Sequence, residues 1–114
     1  MWLCTGEVRL SNRALEQIEN ADLLISPIVL LEMRLLQEIG RLNIAPGEWL
    51  AILRRDFGVT VCRFPLHRVV AESLELPWTR DPFDRMIVAQ AIVGRGRLIT
   101  KDQRIHKNFP DALW

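Results

Sequence analysis

Apolar residues along the chain occur either in short continuous runs or at every third or fourth position. A short run of β-prone apolar residues predicts a buried strand, whereas the longer spacing predicts an amphipathic helix. Segments of the two kinds alternate, which is typical of an α/β protein with a parallel sheet. The chain has 114 residues, of which 49% are hydrophobic and 25% charged. We therefore expect residues 1–114 to form a single domain with one core.

Residues with strong capping preferences mark the ends of these segments. Ser11, Ser26 and Asp81 suit the N-cap position. Pro27 follows Ser26 and Pro82 follows Asp81, and each suits the first helical position. The expected helices are 12–21, 27–39, 46–57, 66–76 and one that starts at residue 82, and the expected strands are 22–26, 59–64, 98–100 and 112–114.

The helical spacing also predicts which side chains face the core. The expected inward residues are Ile28, Leu31, Leu35 and Ile39 on the second helix, Trp49, Leu53 and Phe57 on the third, and Leu66, Val69, Val70 and Leu74 on the fourth. Glu32 lies in the same stripe of the second helix. Because carboxylates are rarely buried without a partner, Glu32 is expected to meet either a cation or an Arg such as Arg85.

Two further acids lie at the ends of expected elements. Asp84 falls in the first turn of the helix that starts at Pro82, and Asp102 follows the strand 98–100. Ligands of open α/β sheets bind beyond the carboxyl ends of the strands. Two carboxylates that approach each other without a cation repel, so their convergence would imply a bound metal or a shifted pKa. For Asp81, the capping role alone is favoured.

Charge and cysteine content limit the possible functions. Lys and Arg total 15 against 14 Asp and Glu, a balance that does not indicate a nucleic-acid binder. Residues 78–107, however, contain seven basic residues and three acids, which suits a phosphodiester substrate and equally suits an ordinary solvated surface. Cys4 and Cys62 have no metal-ligand spacing, and no run is long enough for a membrane span. These features favour a reduced, cytoplasmic protein without membrane association.

The chain resembles the PIN-domain family, and more narrowly the VapC-type toxins of bacterial toxin-antitoxin modules. The resemblance covers nearly the whole chain. Its most specific part is Asp81-Pro-Phe-Asp84-Arg-Met-Ile-Val-Ala-Gln-Ala91, accompanied in the family's order by Ser26 to Glu32, Gly40-Arg41-Leu42 and Leu98 to Asp102. It implies a PIN-like three-layer α/β/α fold with a short parallel sheet.

The resemblance also implies a site and an activity. Glu32, Asp84 and Asp102 match three metal-binding acids of the family, and Thr100 matches a polar helper beside the last of them. The implied activity is an endoribonuclease that hydrolyses RNA phosphodiesters with Mg²⁺ or Mn²⁺. The implied partners are the RNA substrate, a cognate antitoxin protein and a second copy of the chain in a homodimer.

The start of the chain departs from the family pattern. PIN domains open with a short apolar strand that ends in a metal-binding Asp, whereas residues 1–7 resemble the end of the helix that follows it. We therefore expect the first, central strand and its Asp to be missing from this chain, which would leave its two neighbours with unpaired edges. Glu7 is the nearest acid, but it is not expected to replace that ligand.

Three hypotheses remain open from the sequence. The first is the metal-dependent endoribonuclease, with an activity reduced by the missing Asp. The second is a nuclease-dead remnant that binds an antitoxin or a second copy of itself. The third is an unrelated small α/β domain in which the acids serve only as helix caps and salt-bridge partners.

Overall fold

A computed structural model describes residues 1–3, 10–19 and 22–114, and over these residues the chain forms five short strands and six helices. The strands are β1 (Trp2–Leu3), β2 (Leu24–Ile25), β3 (Thr60–Val61), β4 (Leu98–Ile99) and β5 (Ala112–Leu113). The helices are α1 (Asn12–Ile18), α2 (Pro27–Glu38), α3 (Pro46–Phe57), α4 (Leu66–Ser73), α5 (Pro82–Val93) and α6 (Gln103–Asn108). The predicted α/β class is confirmed.

The strands form one parallel sheet in the order β3-β2-β1-β4-β5. The chain moves from β1 to β3 in one direction across the sheet and then crosses back to β4 and β5 on the other side of β1. Because parallel crossovers are right-handed, this reversal places helices on both faces of the sheet. The carboxyl ends of all the strands therefore lie along the same edge.

The prediction that the central strand is missing is wrong, because β1 occupies that position. Trp2 pairs with Leu24 and Leu98, and Leu3 pairs with Ile25 and Ile99. Both β1 side chains are buried, with 2% and 0% exposure. Two apolar residues are sufficient to form the central strand because the neighbouring strands are themselves only two residues long. Glu7, which was not expected to be a ligand, lies outside the described residues.

The helix boundaries follow the expected caps closely. The Ser26 hydroxyl accepts a hydrogen bond from the Ile28 amide, and the Asp81 carboxylate accepts bonds from the amides of Phe83 and Asp84. Helix α3 spans the predicted 46–57, and Gly58 ends it in the left-handed conformation with φ of 66°. Helix α6 has no counterpart among the predicted elements. The last two residues predicted for α1, 20 and 21, lie outside the described part of the chain.

Two predicted buried faces are wrong. On α2 the buried side chains are Val29 and Met33, whereas Leu31, Leu35 and Ile39 are exposed. On α4, Val69 is buried as expected, but Leu66, Val70 and Leu74 are exposed. Both helices carry apolar residues on more than one face, so the helical spacing fits more than one orientation. On α3, Trp49 and Leu53 are fully buried, as predicted, and Phe57 is half-buried.

The turn between α5 and β4 contacts the Trp2 side chain closely. A Cβ atom on Gly96 would lie 2.8 Å from Trp2 Cδ1, and one on Gly94 would lie 2.9 Å from Trp2 Cζ2 and 3.0 Å from Phe64 Cε2. The Trp2 and Phe64 rings pack against each other at 5.6 Å between centroids. Glycine is therefore required at these two positions by close packing against the central strand.

Substituting either glycine should destabilise the domain. We expect Gly94→Ala and Gly96→Ala each to lower the free energy of unfolding by about 1–3 kcal/mol, because the buried indole must shift to admit a methyl group. Urea unfolding followed by Trp fluorescence measures this change. Gly47→Ala is the control, since a Cβ there meets nothing within 4 Å and Ala favours the helix. Equal stabilities of all three variants would contradict this account of the turn.

Candidate metal centre

A pocket of about 540 Å³ lies beyond the carboxyl end of β4, and its polar lining is largely acidic. Thr100, Lys101 and Asp102 reach it directly after the strand, and Glu32 reaches it from the second turn of α2. Four of the residues that line this pocket are acids, namely Glu32, Asp81, Asp84 and Asp102. The structure thus brings the four residues predicted for the site, Glu32, Asp84, Asp102 and Thr100, to one pocket.

Asp81, Asp84 and Glu32 form the tightest group of acids in the described part of the chain. One potential ligand atom from each of the three lies within 4.8 Å of the others. Asp81 was expected only to cap α5, and it does cap the helix through Oδ1, which accepts bonds of 2.8 and 3.3 Å. Its position three residues before Asp84 puts both carboxylates on one side of the first helical turn. That spacing is the sequence signal from which its place in the group could have been inferred.

Asp102 enters the pocket from the opposite loop. It is the N-cap of α6, and its Oδ1 accepts hydrogen bonds from the amides of Arg104 and Ile105 at 2.8 and 3.1 Å. The Thr100 hydroxyl oxygen accepts a bond from the Asp102 amide at 3.1 Å. Thr100 is only 2% exposed and lines the pocket, and a hydroxyl group that accepts through its oxygen can also donate its hydrogen.

Burial and repulsion between the acids together set the electrostatics of the pocket. Partial burial, followed by the charges of Asp84, Asp81 and Asp102, raises the pKa of Glu32 to about 7. Partial burial and the charges of Asp81 and Asp102 raise the pKa of Asp84 to about 6, although nearby Arg104 acts in the opposite direction. These directions are those expected for carboxylates gathered without a cation.

Among the described residues, no Arg neutralises Glu32, and Arg85 does not serve as its partner. The Arg85 Nε atom donates instead to the backbone carbonyl oxygen of Thr79 at 2.7 Å. No Lys or Arg in residues 1–3, 10–19 and 22–114 lies within ion-pair distance of Glu32. The excess negative charge around Glu32 therefore lacks a cationic side-chain partner in the described part of the structure.

The donor set fits a small divalent cation. Mg²⁺ and Mn²⁺ favour carboxylate and water oxygens, and two ligands on opposite sides of such an ion are about 4.2 Å apart. A spacing of up to 4.8 Å between the three acids therefore allows direct ligation by some and ligation through water by others. The raised pKa values support the same fit, because a cation would favour the charged form of both acids.

Comparison with known proteins identifies the family of this chain. The family model described as the PIN domain matches residues 3–109, so the chain belongs to the PIN-domain family. The chain is also similar to the protein named Ribonuclease VapC22 from Mycobacterium tuberculosis (strain ATCC 25618 / H37Rv). The two are 34% identical over 122 aligned residues, which cover 99% of this chain and 91% of that protein.

The raised pKa values predict how stability changes with pH when no metal is added. Glu32 and Asp84 ionise in the folded state near pH 7 and 6, above their usual 4.5 and 3.8. Between the usual and the raised pKa values, the folded state binds more protons than the unfolded state. The free energy of unfolding should therefore fall as the pH rises from about 4 to about 7, and it should level off above that. Urea unfolding in the presence of a chelator measures this profile.

Glu32→Gln should remove much of this pH dependence. At pH 8 without metal we expect the variant to be more stable than the wild type by on the order of 1 kcal/mol, a value limited by solvent screening of a partly exposed group. At pH 4 the two proteins should be similar. Glu16→Gln, which alters an exposed residue of α1, is the control. A less stable Glu32→Gln protein at pH 8 would contradict the unfavourable environment assigned to the ionised Glu32 carboxylate.

Proposed function

We propose that this protein is a Mg²⁺- or Mn²⁺-dependent endoribonuclease and the toxin of a toxin-antitoxin module. The observation that carries the proposal is the convergence of Glu32, Asp81 and Asp84 within 4.8 Å, with Asp102 and Thr100 in the same pocket. Membership of the PIN-domain family and the similarity to a protein named as a ribonuclease support the choice of RNA as substrate. Cleavage of cellular RNA implies a cytoplasmic location.

In this proposal Glu32, Asp84 and Asp102 hold the cation directly or through water, and Asp81 adds a fourth carboxylate on the α5 side. A bound Mg²⁺ or Mn²⁺ would lower the pKa of water and neutralise charge on the phosphodiester. The Thr100 hydroxyl can donate a hydrogen bond to a water molecule or a phosphate oxygen, because its oxygen already accepts from Asp102. Lys101 lines the pocket and Arg104 lies near Asp84, so both bring positive charge toward the phosphate backbone of RNA.

Asp84→Asn tests the nuclease directly. The substitution keeps the shape of the side chain but removes a charge from the proposed metal site. We therefore expect the rate at which total bacterial RNA is cleaved with Mn²⁺ to fall at least about 100-fold. A loss of that size exceeds the usual effect of a residue that only supports a metal ligand. Gel analysis of the RNA over time gives the rate. Asp56→Asn is the matched control, because Asp56 is exposed, pairs with neighbouring Arg55 and lies outside the acidic pocket. Undiminished cleavage by Asp84→Asn would refute the assignment.

The apolar surface favours partner binding as a second function. Exposed large apolar side chains are present on two helices, namely Leu31, Leu35 and Ile39 on or just beyond α2, and Leu66, Val70 and Leu74 on or just beyond α4. A groove of about 290 Å³ between α2, α4 and α5 is lined mainly by apolar residues, among them Ile28, Phe64 and Met86. Exposed apolar surface of this kind is typical of protein interaction sites. It suits the cognate antitoxin and the homodimer that the family resemblance implies.

A nuclease-dead module would bind partners through the same surfaces without cutting RNA. Wild-type protein that cleaves no RNA with Mg²⁺ or Mn²⁺, yet has the mass of a dimer in solution, would favour this second function over the first. Cleavage that depends on both the metal and Asp84 would favour the first.

Self-association can be tested on the exposed α2 residues. We expect the double substitution Leu35→Glu and Ile39→Glu to convert a dimer to a monomer, because two charges would be buried against a partner at that surface. Size-exclusion chromatography with light scattering measures the mass. Leu15→Glu on α1, where the side chain is also partly exposed, is the control. A double variant that keeps the dimer mass would exclude the α2 surface from the contact.

A further inference from the structure

The two loops that bring aspartates to the pocket are built in the same way. One is Thr79-Arg80-Asp81 before α5, and the other is Thr100-Lys101-Asp102 before α6. Each Thr is 2% exposed, and its hydroxyl oxygen accepts a hydrogen bond from the amide of the Asp two residues later, at 3.2 Å and 3.1 Å respectively. Each Asp then uses Oδ1 to cap the helix that follows. Its Oδ2 takes no part in these cap bonds.

In both loops the Thr backbone carbonyl also accepts a hydrogen bond from a side chain six residues later. Arg85 Nε donates to the Thr79 carbonyl oxygen at 2.7 Å, and His106 Nε2 lies 2.6 Å from the Thr100 carbonyl oxygen. A carbonyl oxygen can only accept, so His106 must carry a proton on Nε2. Each loop is therefore bonded at the Thr hydroxyl, at the Thr carbonyl and at the Asp carboxylate.

We infer that Arg85 and His106 are positioning residues for the carboxylates of this site, acting through the carbonyls of Thr79 and Thr100. The inference rests on the proposed function, in which Asp81, Asp84 and Asp102 serve a shared cation. Within residues 1–3, 10–19 and 22–114 neither side chain bonds to a carboxylate, so neither neutralises the acids that it orients. Instead, each fixes the backbone of a loop whose Asp would otherwise move away from like charges.

A purely structural role is the alternative for His106, since its bond also ties α6 to the end of β4. The two roles differ in their consequences. A structural residue changes global stability and leaves the metal affinity of the folded protein unchanged, whereas a group that orients a ligand changes metal affinity about 10–100-fold when it is lost. The experiment must therefore measure affinity in protein that is folded.

Two polar substitutions at position 106 separate the hydrogen bond from the ring itself. Gln places its amide nitrogen near the position of His Nε2, so His106→Gln can still donate to the Thr100 carbonyl, whereas the shorter side chain in His106→Asn cannot reach it. We expect His106→Asn to weaken Mn²⁺ binding at least about 10-fold and His106→Gln to stay within about twofold of the wild type. Isothermal titration with MnCl₂ at pH 8 measures both. His67→Asn on α4 is the control, because His67 is exposed and lies outside the pocket.

Arg85→Lys applies the same test to the other loop. It keeps the positive charge but removes the Nε–H donor, so Mn²⁺ binding should again weaken at least about 10-fold if the bond to Thr79 matters. Unchanged Mn²⁺ affinity in both His106→Asn and Arg85→Lys would overturn the inference.

Amide hydrogen exchange without metal supplies an independent readout. Exchange at Asp102 and Ile105, whose amides donate within the α6 loop, should accelerate in His106→Asn and return toward the wild-type rate in His106→Gln. Equal exchange in all three proteins, or equal acceleration in both variants, would overturn the role given to His106. Wild-type protein that binds no Mn²⁺ would refute the proposed metal-dependent function, and the exchange rates would still decide whether His106 holds this loop.

Discussion

The gathering of partly buried carboxylates at one edge of the sheet is the constraint on which the rest of the site depends. Asp81 and Asp102 cap helices, and Asp84 lies in a first helical turn, so three of the four carboxylates lie at the N-terminal ends of two helices. Glu32 lies in the second turn of α2, where partial burial, followed by the charges of the other three acids, raises its pKa to about 7. The fold brings these charges together because the buried segments around them, notably β1, β4 and the centre of α5, form a continuous apolar core. The free energy of that core offsets the repulsion.

The same residues form the local structure and the proposed site. Each strand has only two residues, so the polar groups of the pocket lie just beyond strand ends and in the first two turns of helices. An Asp that caps a helix through Oδ1 has its other oxygen outside the cap bonds, which allows capping and metal binding by a single side chain. Capping does not compete with the proposed chemistry. It orients the carboxylate for that chemistry and lowers the entropy that the side chain would lose on binding a cation.

Helix α2 shows why some predictions from sequence are correct and others are wrong. Its N-cap at Ser26 and its first residue Pro27 are as expected, since both depend on bonds within a few residues. Its predicted buried face is wrong because Val29 and Met33 compete with Leu31, Leu35 and Ile39, and only packing against α5 and α3 selects between them. The place of Trp2–Leu3 in the centre of the sheet was missed for a similar reason. A two-residue strand has no periodicity, and its pairing depends on β2 and β4, which are distant in sequence.

The sequence by itself determined the α/β class, the helix starts at Pro27, Pro46 and Pro82, and the identity of the acids that could form a site. Caps, turns and propensities act between near neighbours, so they can be inferred from the order of residues. Only the tertiary structure decided that Asp81 joins Glu32 and Asp84, that Arg85 bonds to a backbone carbonyl and not to Glu32, and which apolar faces remain exposed. These outcomes depend on the distances between elements that are far apart in the chain, and packing of the whole core sets those distances.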